Sequence, residues 1–209
     1  MNSQNLLIKN FIQTRYIKKK FLKVLSKDLN KSFLQIERDI KAPKKTLNIL
    51  NKNFQFNFKA NDLKKFRKFK KISIIGMGGS ILGTQAVYNF FKKKIKKKVY
   101  FFDDIDQEKI LNFKRKNDLK KILFIVISKS GNTVETLSNM FFLRILKKNS
   151  DNIIVISENK NNTLLKLSKK LNLFYIEHNS YIGGRYSVLS ETGIVPAYLM
   201  GINISKLRS

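Results

Sequence analysis

Hydrophobic positions along the chain follow two different rhythms. In the first part, Leu22, Leu25, Leu29, Phe33, Ile36 and Ile40 recur at intervals of three and four, which places them on one face of a helix. Ala42-Pro43 ends that run, and Thr46 to Leu50 is a short apolar stretch. Asn53 to Asn61 is too rich in asparagine to suggest an element, and Asn61-Asp62 is placed to cap a short helix through Phe69. From Lys71 the rhythm changes to short, continuously apolar runs: Ile72–Ile75, Val99–Phe102, Ile122–Ile127, Ile153–Ile156 and Leu173–Ile176. Runs of this kind belong to strands buried on both faces, as in parallel sheets. Between them, helices are expected at roughly 81–93, 106–117, 133–148 and 163–170, with one more at 188–202. This alternation predicts an α/β fold, a three-layer αβα sandwich on a mainly parallel five-stranded sheet, preceded by a helical arm over residues 1–70. A ligand then belongs at the carboxyl ends of the strands, near the point where the strand order reverses.

Two corners of that sheet concentrate glycine and hydroxyl groups. Gly76-Met77-Gly78-Gly79-Ser80 follows the first strand and opens a helix. Glycines let the backbone approach a ligand, and the free amides of a helix start favour an anion. The dinucleotide pattern G-x-G-x-x-G fails here, because Ile81 stands where its third glycine belongs, and no P-loop Gly-Lys-Ser/Thr follows. Phosphate binding and a plain tight βα turn both remain open for this corner alone. The second corner, Ser128-Lys129-Ser130-Gly131-Asn132-Thr133-Val134-Glu135-Thr136, follows the most apolar strand. Ser130 or Asn132 can cap the helix, with Glu135 completing a capping box. One cap needs one hydroxyl, however, and this corner carries four. Hydroxyls and amides can hold a phosphate dianion without transferring a proton to it, and Lys129 either adds charge or orients the loop.

Composition narrows the chemistry. The 209 residues include no cysteine and a single histidine, which removes disulfides, thiol nucleophiles and Cys-bearing zinc sites and argues against a His-rich metal site. No apolar run approaches the ~20 residues that span a bilayer, and the first twenty residues lack the features of a signal peptide. A soluble, cytoplasmic protein is therefore expected, with no membrane partner. Lys and Arg total 43 against 14 Asp and Glu, for a net charge of +29. The excess is almost all lysine, in a chain heavy in Asn, Ile and Phe, as an AT-rich genome would produce. Base reading favours arginine, so nucleic acid is not the expected partner. The positive field would instead raise the local concentration of an anionic small substrate.

Together the two corners resemble the sugar-isomerase (SIS) domain. A third stretch, Ile182-Gly183-Gly184-Arg185-Tyr186-Ser187-Val188-Leu189-Ser190-Glu191-Thr192-Gly193, resembles the signature of the glucose-6-phosphate isomerase family. The resemblance covers about residues 70 to 200. It implies that Ser80, Ser128, Ser130 and Thr133 hold the sugar phosphate with Lys129 alongside, and that Gly79 and Gly184 let the backbone close on the substrate. It also implies that the Arg185 guanidinium stabilises the cis-enediolate formed at C1–C2. The family reaction interconverts glucose 6-phosphate and fructose 6-phosphate without metal or organic cofactor, in a homodimer. Its base, ring-opening His and late Lys lie beyond the Gly-Gly-Arg signature, where this chain ends. The expectation is thus an SIS unit at 71–180, a signature loop and helix at 181–209 leading to a missing second SIS domain, and a fragment inactive alone that a separate C-terminal half would complete. Glu191 is a poor match for the base, His178 reads as a surface imidazole, and Glu135 reads as a helix-start residue. The alternatives are another phosphosugar isomerase of the SIS type or a non-catalytic phosphosugar-binding module.

Overall fold

A computed structural model describes residues 19–208; the first 18 residues of the expected arm and Ser209 lie outside the described residues. In chain order the elements are α1 (Lys19–Lys41), a 3-10 turn at Thr46–Leu50, α2 (Ala60–Leu63) running into a 3-10 turn at Lys64–Lys68, and β1 (Lys71–Gly76). A 3-10 turn at Gly78–Ser80 leads to α3 (Leu82–Phe91), then β2 (Lys98–Phe102), α4 (Gln107–Lys116) and β3 (Ile122–Ile127). The second half holds α5 (Val134–Phe142), β4 (Ile153–Ser157), α6 (Thr163–Leu171) and β5 (Phe174–Glu177). A 3-10 turn at Gly184–Leu189 then precedes α7 (Glu191–Met200) and α8 (Ile204–Arg208).

The five strands lie in the order β2-β1-β3-β4-β5, and every pair is parallel. β3 takes the centre because all six of its side chains, Ile122 to Ile127, are buried, which only a position covered on both faces allows. One face of the sheet, with Ile72, Ile74, Leu123, Ile125, Ile154 and Ile176, packs on Leu63, Phe66 and Phe69 and on Val195, Leu199 and Met200 of α7. The other face, with Ile75, Phe124, Val126 and Val155, packs on Ile110 and Phe113 of α4, Met140 of α5 and Leu164 of α6. This is the expected three-layer arrangement.

Three expectations change. Helix α5 ends at Phe142 rather than near 148, because the chain turns through a positive φ of 53° at Arg144 and so delivers Leu143 and Ile145 to the core. Residues 46–69, expected as part of a helical arm preceding the sandwich, pack instead on this chain's own core: Leu63, Phe66 and Phe69 are buried at intervals of three. The helix expected at 188–202 likewise has no uncovered apolar face; it spans 191–200, and nine of its ten residues are buried within this chain. Only α1 keeps the expected character, with Val24, Leu25, Leu29, Phe33 and Leu34 each more than half exposed. Its carboxyl end is tied down where the Asn48 and Asn51 side-chain amides donate to the Ile40 carbonyl.

Candidate functional site

The chain steps from β1 outward to β2 and then crosses back past β1 to β3, so the order reverses between β1 and β3. The two glycine- and hydroxyl-rich corners follow these two neighbouring strands at their carboxyl ends. Their last paired residues are Gly76 and Ile127. The corners are in contact there: a Cβ on Gly76 would lie 2.8 Å from the Ile127 carbonyl oxygen and 3.5 Å from the Ser80 Cβ.

In the second corner the buried Ser128 hydroxyl accepts from the Gly131 amide at 3.2 Å and stands 2.8 Å from the Thr133 hydroxyl. The Ser130 hydroxyl lies 3.4 Å from the same Thr133 oxygen. Gly131 has φ +68°, and any Cβ there would collide with the Asn162 side-chain amide, so the tight turn requires glycine. Contrary to the expectation from sequence, neither Ser130 nor Asn132 caps α5. The N-cap is Thr133, and it makes no side-chain cap bond. Asn132 instead accepts from the Thr163 amide. The N-cap of α3, Ile81, likewise offers no side-chain acceptor. Both helices that start at these corners therefore present amides that no capping side chain satisfies, and oriented amides of this kind favour an anion.

The third motif folds onto the first. A Cβ on Gly79 would lie 2.5 Å from the Gly184 carbonyl carbon, so the two backbones touch where only glycine fits. The Ser187 hydroxyl sits between their carbonyls, 3.2 Å from Gly79 O and 2.7 Å from Gly184 O. This loop continues into α7, which docks on α3 through a bond from the Thr84 hydroxyl to the Thr192 carbonyl at 2.9 Å. Arg185 is thus carried directly beside the Gly79-Ser80 corner, on the exposed side of its turn. Among the described residues no carboxylate pairs with its guanidinium.

The three motifs that converge here lie within the region that is similar to known proteins. Residues 36–207 match the phosphoglucose isomerase family. The chain belongs to that family. A probable glucose-6-phosphate isomerase of Methanococcus maripaludis is 38% identical over 179 residues, covering 82% of this chain and 40% of that relative. The glucose-6-phosphate isomerase of Methanocaldococcus jannaschii is 38% identical over 148 residues, 69% of this chain and 36% of its own length. Among solved structures, a glucose-6-phosphate isomerase from Chlamydia trachomatis aligns with a TM-score of 0.59 at 27% identity, over 71% of this chain and 29% of its own. A hypothetical protein from Thermus thermophilus shares the fold, with a TM-score of 0.69 at 23% identity over 90% of this chain and 49% of its own. The chain spans at most about 40% of the length of these curated relatives.

Placed in this phosphoglucose isomerase framework, the other sequence candidates divide. Lys129 points to the end of β4, where its ammonium is 3.5 Å from Glu158, a carboxylate it shares with Lys160 at 2.8 Å. Its geometry serves loop orientation more than added charge, a partner that no local sequence feature signals. Glu135 lies in the first turn of α5, as expected, but without the capping box. His178 is not a surface imidazole: it is 1% exposed and lies 3.6 Å from Glu191, which is fully buried. The strand β5 runs straight into it, and its backbone amide donates to the Ser157 carbonyl. Glu191 accepts from the Asn57 amide and faces inward, away from any solvent-borne substrate. Burial, and then the Glu191 charge, push the neighbouring Tyr181 phenol up, which keeps it protonated and neutral near pH 7. The residue the sequence reading left without a role is Ser187, although it stands inside the quoted signature.

Among the described residues no helix is long and apolar enough to cross a membrane.

Proposed function

We propose that this chain grips the phosphate and stabilises the intermediate in the interconversion of glucose 6-phosphate and fructose 6-phosphate. The phosphate sits between the two corners. It takes hydrogen bonds from the hydroxyls of Ser80, Ser128, Ser130 and Thr133 and from the open amides at the starts of α3 and α5, while the sugar chain runs past Gly79 and Gly184. Removal of the C2 proton gives a cis-enediolate, and the always-protonated Arg185 guanidinium offsets the charge that develops on its oxygens. A proton passes from O2 to O1, and returning the abstracted proton to C1 gives the ketose. The observation that carries this reading is the seating of Gly184 on Gly79, which puts Arg185 next to the phosphate corners.

The proton shuttle is not assigned to this chain's buried Glu191. We place it, with the ring-opening groups, in the part of the relatives' length that this chain does not span. Residues 71–180 then act as the sugar-phosphate unit and residues 181–209 as the link onward. A homodimer in the cytoplasm belongs to the same reading, with no metal or organic cofactor needed for proton transfer between adjacent carbons. Calorimetric titration of the 209-residue chain with fructose 6-phosphate should show one site, and the same sample should not convert glucose 6-phosphate. In a chain extended to the relatives' full length, Arg185→Lys should leave binding within about threefold and cut turnover by about a hundredfold. Absence of binding overturns the phosphate assignment, and brisk turnover by the 209 residues overturns the placement of the base.

A further inference from the structure

The lysines scattered through the sequence gather at the far end of the sheet. Lys71 and Lys98 open β1 and β2 and stand directly opposite each other in the parallel register, where like charges repel. Both line a cleft of about 360 Å³ along the edge strand β2, together with Lys109 and Lys116 of α4, and no Asp or Glu lines it. Its volume falls in the range of small-molecule sites, roughly 300–1,000 Å³. Lys109 is answered by Asp103 and Asp104, whereas Lys98 and Lys116 have no carboxylate partner among the described residues. Lys71 is oriented by Asn117 at 2.8 Å, whose side-chain oxygen also receives the Tyr100 hydroxyl at 3.2 Å. Next door, burial and, second to it, the Arg67 charge push the Lys97 ammonium down.

Lysine on an edge strand commonly serves to block strand addition, and that explains Lys98 alone. It does not explain a concave site with lysines contributed by a helix, an aromatic wall that includes Tyr100, and Asn112 in the lining of the same cleft. We propose that this cleft is a second anion site, taking a nucleoside polyphosphate with its phosphates among Lys71, Lys98 and Lys116 and its base against Tyr100 and Asn112. Lys71 and Lys98 stand at the opposite end of the paired strands from the Gly76 corner, about 16 Å away at ~3.3 Å per residue, although the cleft itself runs along β2 as far as Phe102, which pairs with Ile75. Its phosphate end is thus separate from the proposed sugar-phosphate corner.

The test is calorimetric titration of the full 209-residue chain with ATP, beside inorganic triphosphate, adenosine and a single-stranded oligouridylate. ATP should bind once per chain, more tightly than either triphosphate or adenosine. Lys98→Glu/Lys116→Glu should weaken ATP by at least about tenfold. Lys169→Glu/Lys170→Glu, which changes the net charge equally on the exposed end of α6, should weaken it less than about threefold. Asn112→Leu, which leaves every charge in place, should weaken ATP and leave triphosphate unchanged. Equal losses in the two double variants, triphosphate binding as well as ATP, or no ATP binding by the parent chain would each overturn the proposal. Tighter oligouridylate binding with the same sensitivity at Lys98 and Lys116 would overturn it in favour of a nucleic acid. Circular dichroism of each variant checks the fold, and all the substituted lysines are exposed.

Discussion

Helices α4 and α6 differ from α3 and α5 in how their first turns are satisfied. Asp106 accepts from the Lys109 amide at the start of α4, and Asn162 accepts from the Leu165 amide at the start of α6. The caps of α3 and α5 make no such bond. All four helices follow strands of one sheet, so propensity and layer do not account for the difference. What separates them is position: α3 and α5 start on either side of the strand-order reversal, one after the Gly78–Ser80 turn and the other after the paired Ser128 and Thr133 hydroxyls. A helix that caps itself satisfies its own first amides, whereas one that leaves its amides open relies on water or on a ligand. The open starts are therefore where the proposed phosphate would be taken.

Breaking the contact between the corners should have the largest effect. Gly79→Ala would drive a Cβ into the Gly184 backbone. It should lower fructose 6-phosphate affinity by about a hundredfold, since a misplacement of about 1 Å is worth that much, and lower Tm by about 6 °C for roughly 2 kcal/mol of overpacking. Both can be read from one set of titrations and melts. Turning an open helix into a closed one should come next. Thr133→Asp supplies α5 with a cap and a negative charge; the chain should gain about 1 kcal/mol in denaturant unfolding while phosphate-ester affinity drops by about tenfold or more. Stability and affinity moving in opposite directions would sharpen the contrast, and their moving together would erase it. At a closed helix, Asp106→Ala should cost about 1 kcal/mol and leave affinity unchanged within about twofold.

The smallest effect concerns acid. Burial works to raise the Asp103 carboxyl, but the Gln85 hydrogen bond at 2.7 Å, its own backbone amide and Lys109 outweigh it and hold the group below its ordinary 3.8. A depressed carboxylate contributes stability that is fully present above the unfolded value and lost as pH falls through the folded one. Melting temperature should therefore decline below about pH 4, and Gln85→Leu should flatten that decline slightly, because Asp103 is partly solvated and its interactions are screened.

Much of this architecture was legible in the chain. The run Ile122–Ile127 is apolar at every position because it lies at the centre of the sheet. The two corners and the Gly-Gly-Arg stretch announced themselves through residue types that strands and helices avoid. Partnerships made across long stretches of sequence were not legible. Lys129 meets Glu158 because the neighbouring strands β3 and β4 end at the same level, and His178 meets Glu191 because the start of α7 returns to the end of β5. The run Ile194 to Met200 is apolar throughout, which suits a helix covered by its own chain as well as one awaiting a second domain. Leu63, Phe66 and Phe69 gave the right period but no sign of what they would face.

Ser187 and Gly79 are 108 residues apart in the chain. Their meeting closes a long loop, which is entropically costly until the intervening sheet is in place. As the polypeptide leaves the ribosome, both phosphate corners emerge well before the turn that carries Arg185, so the guanidinium takes its station last. The contact that stations Arg185 therefore forms only once all five strands have been synthesised.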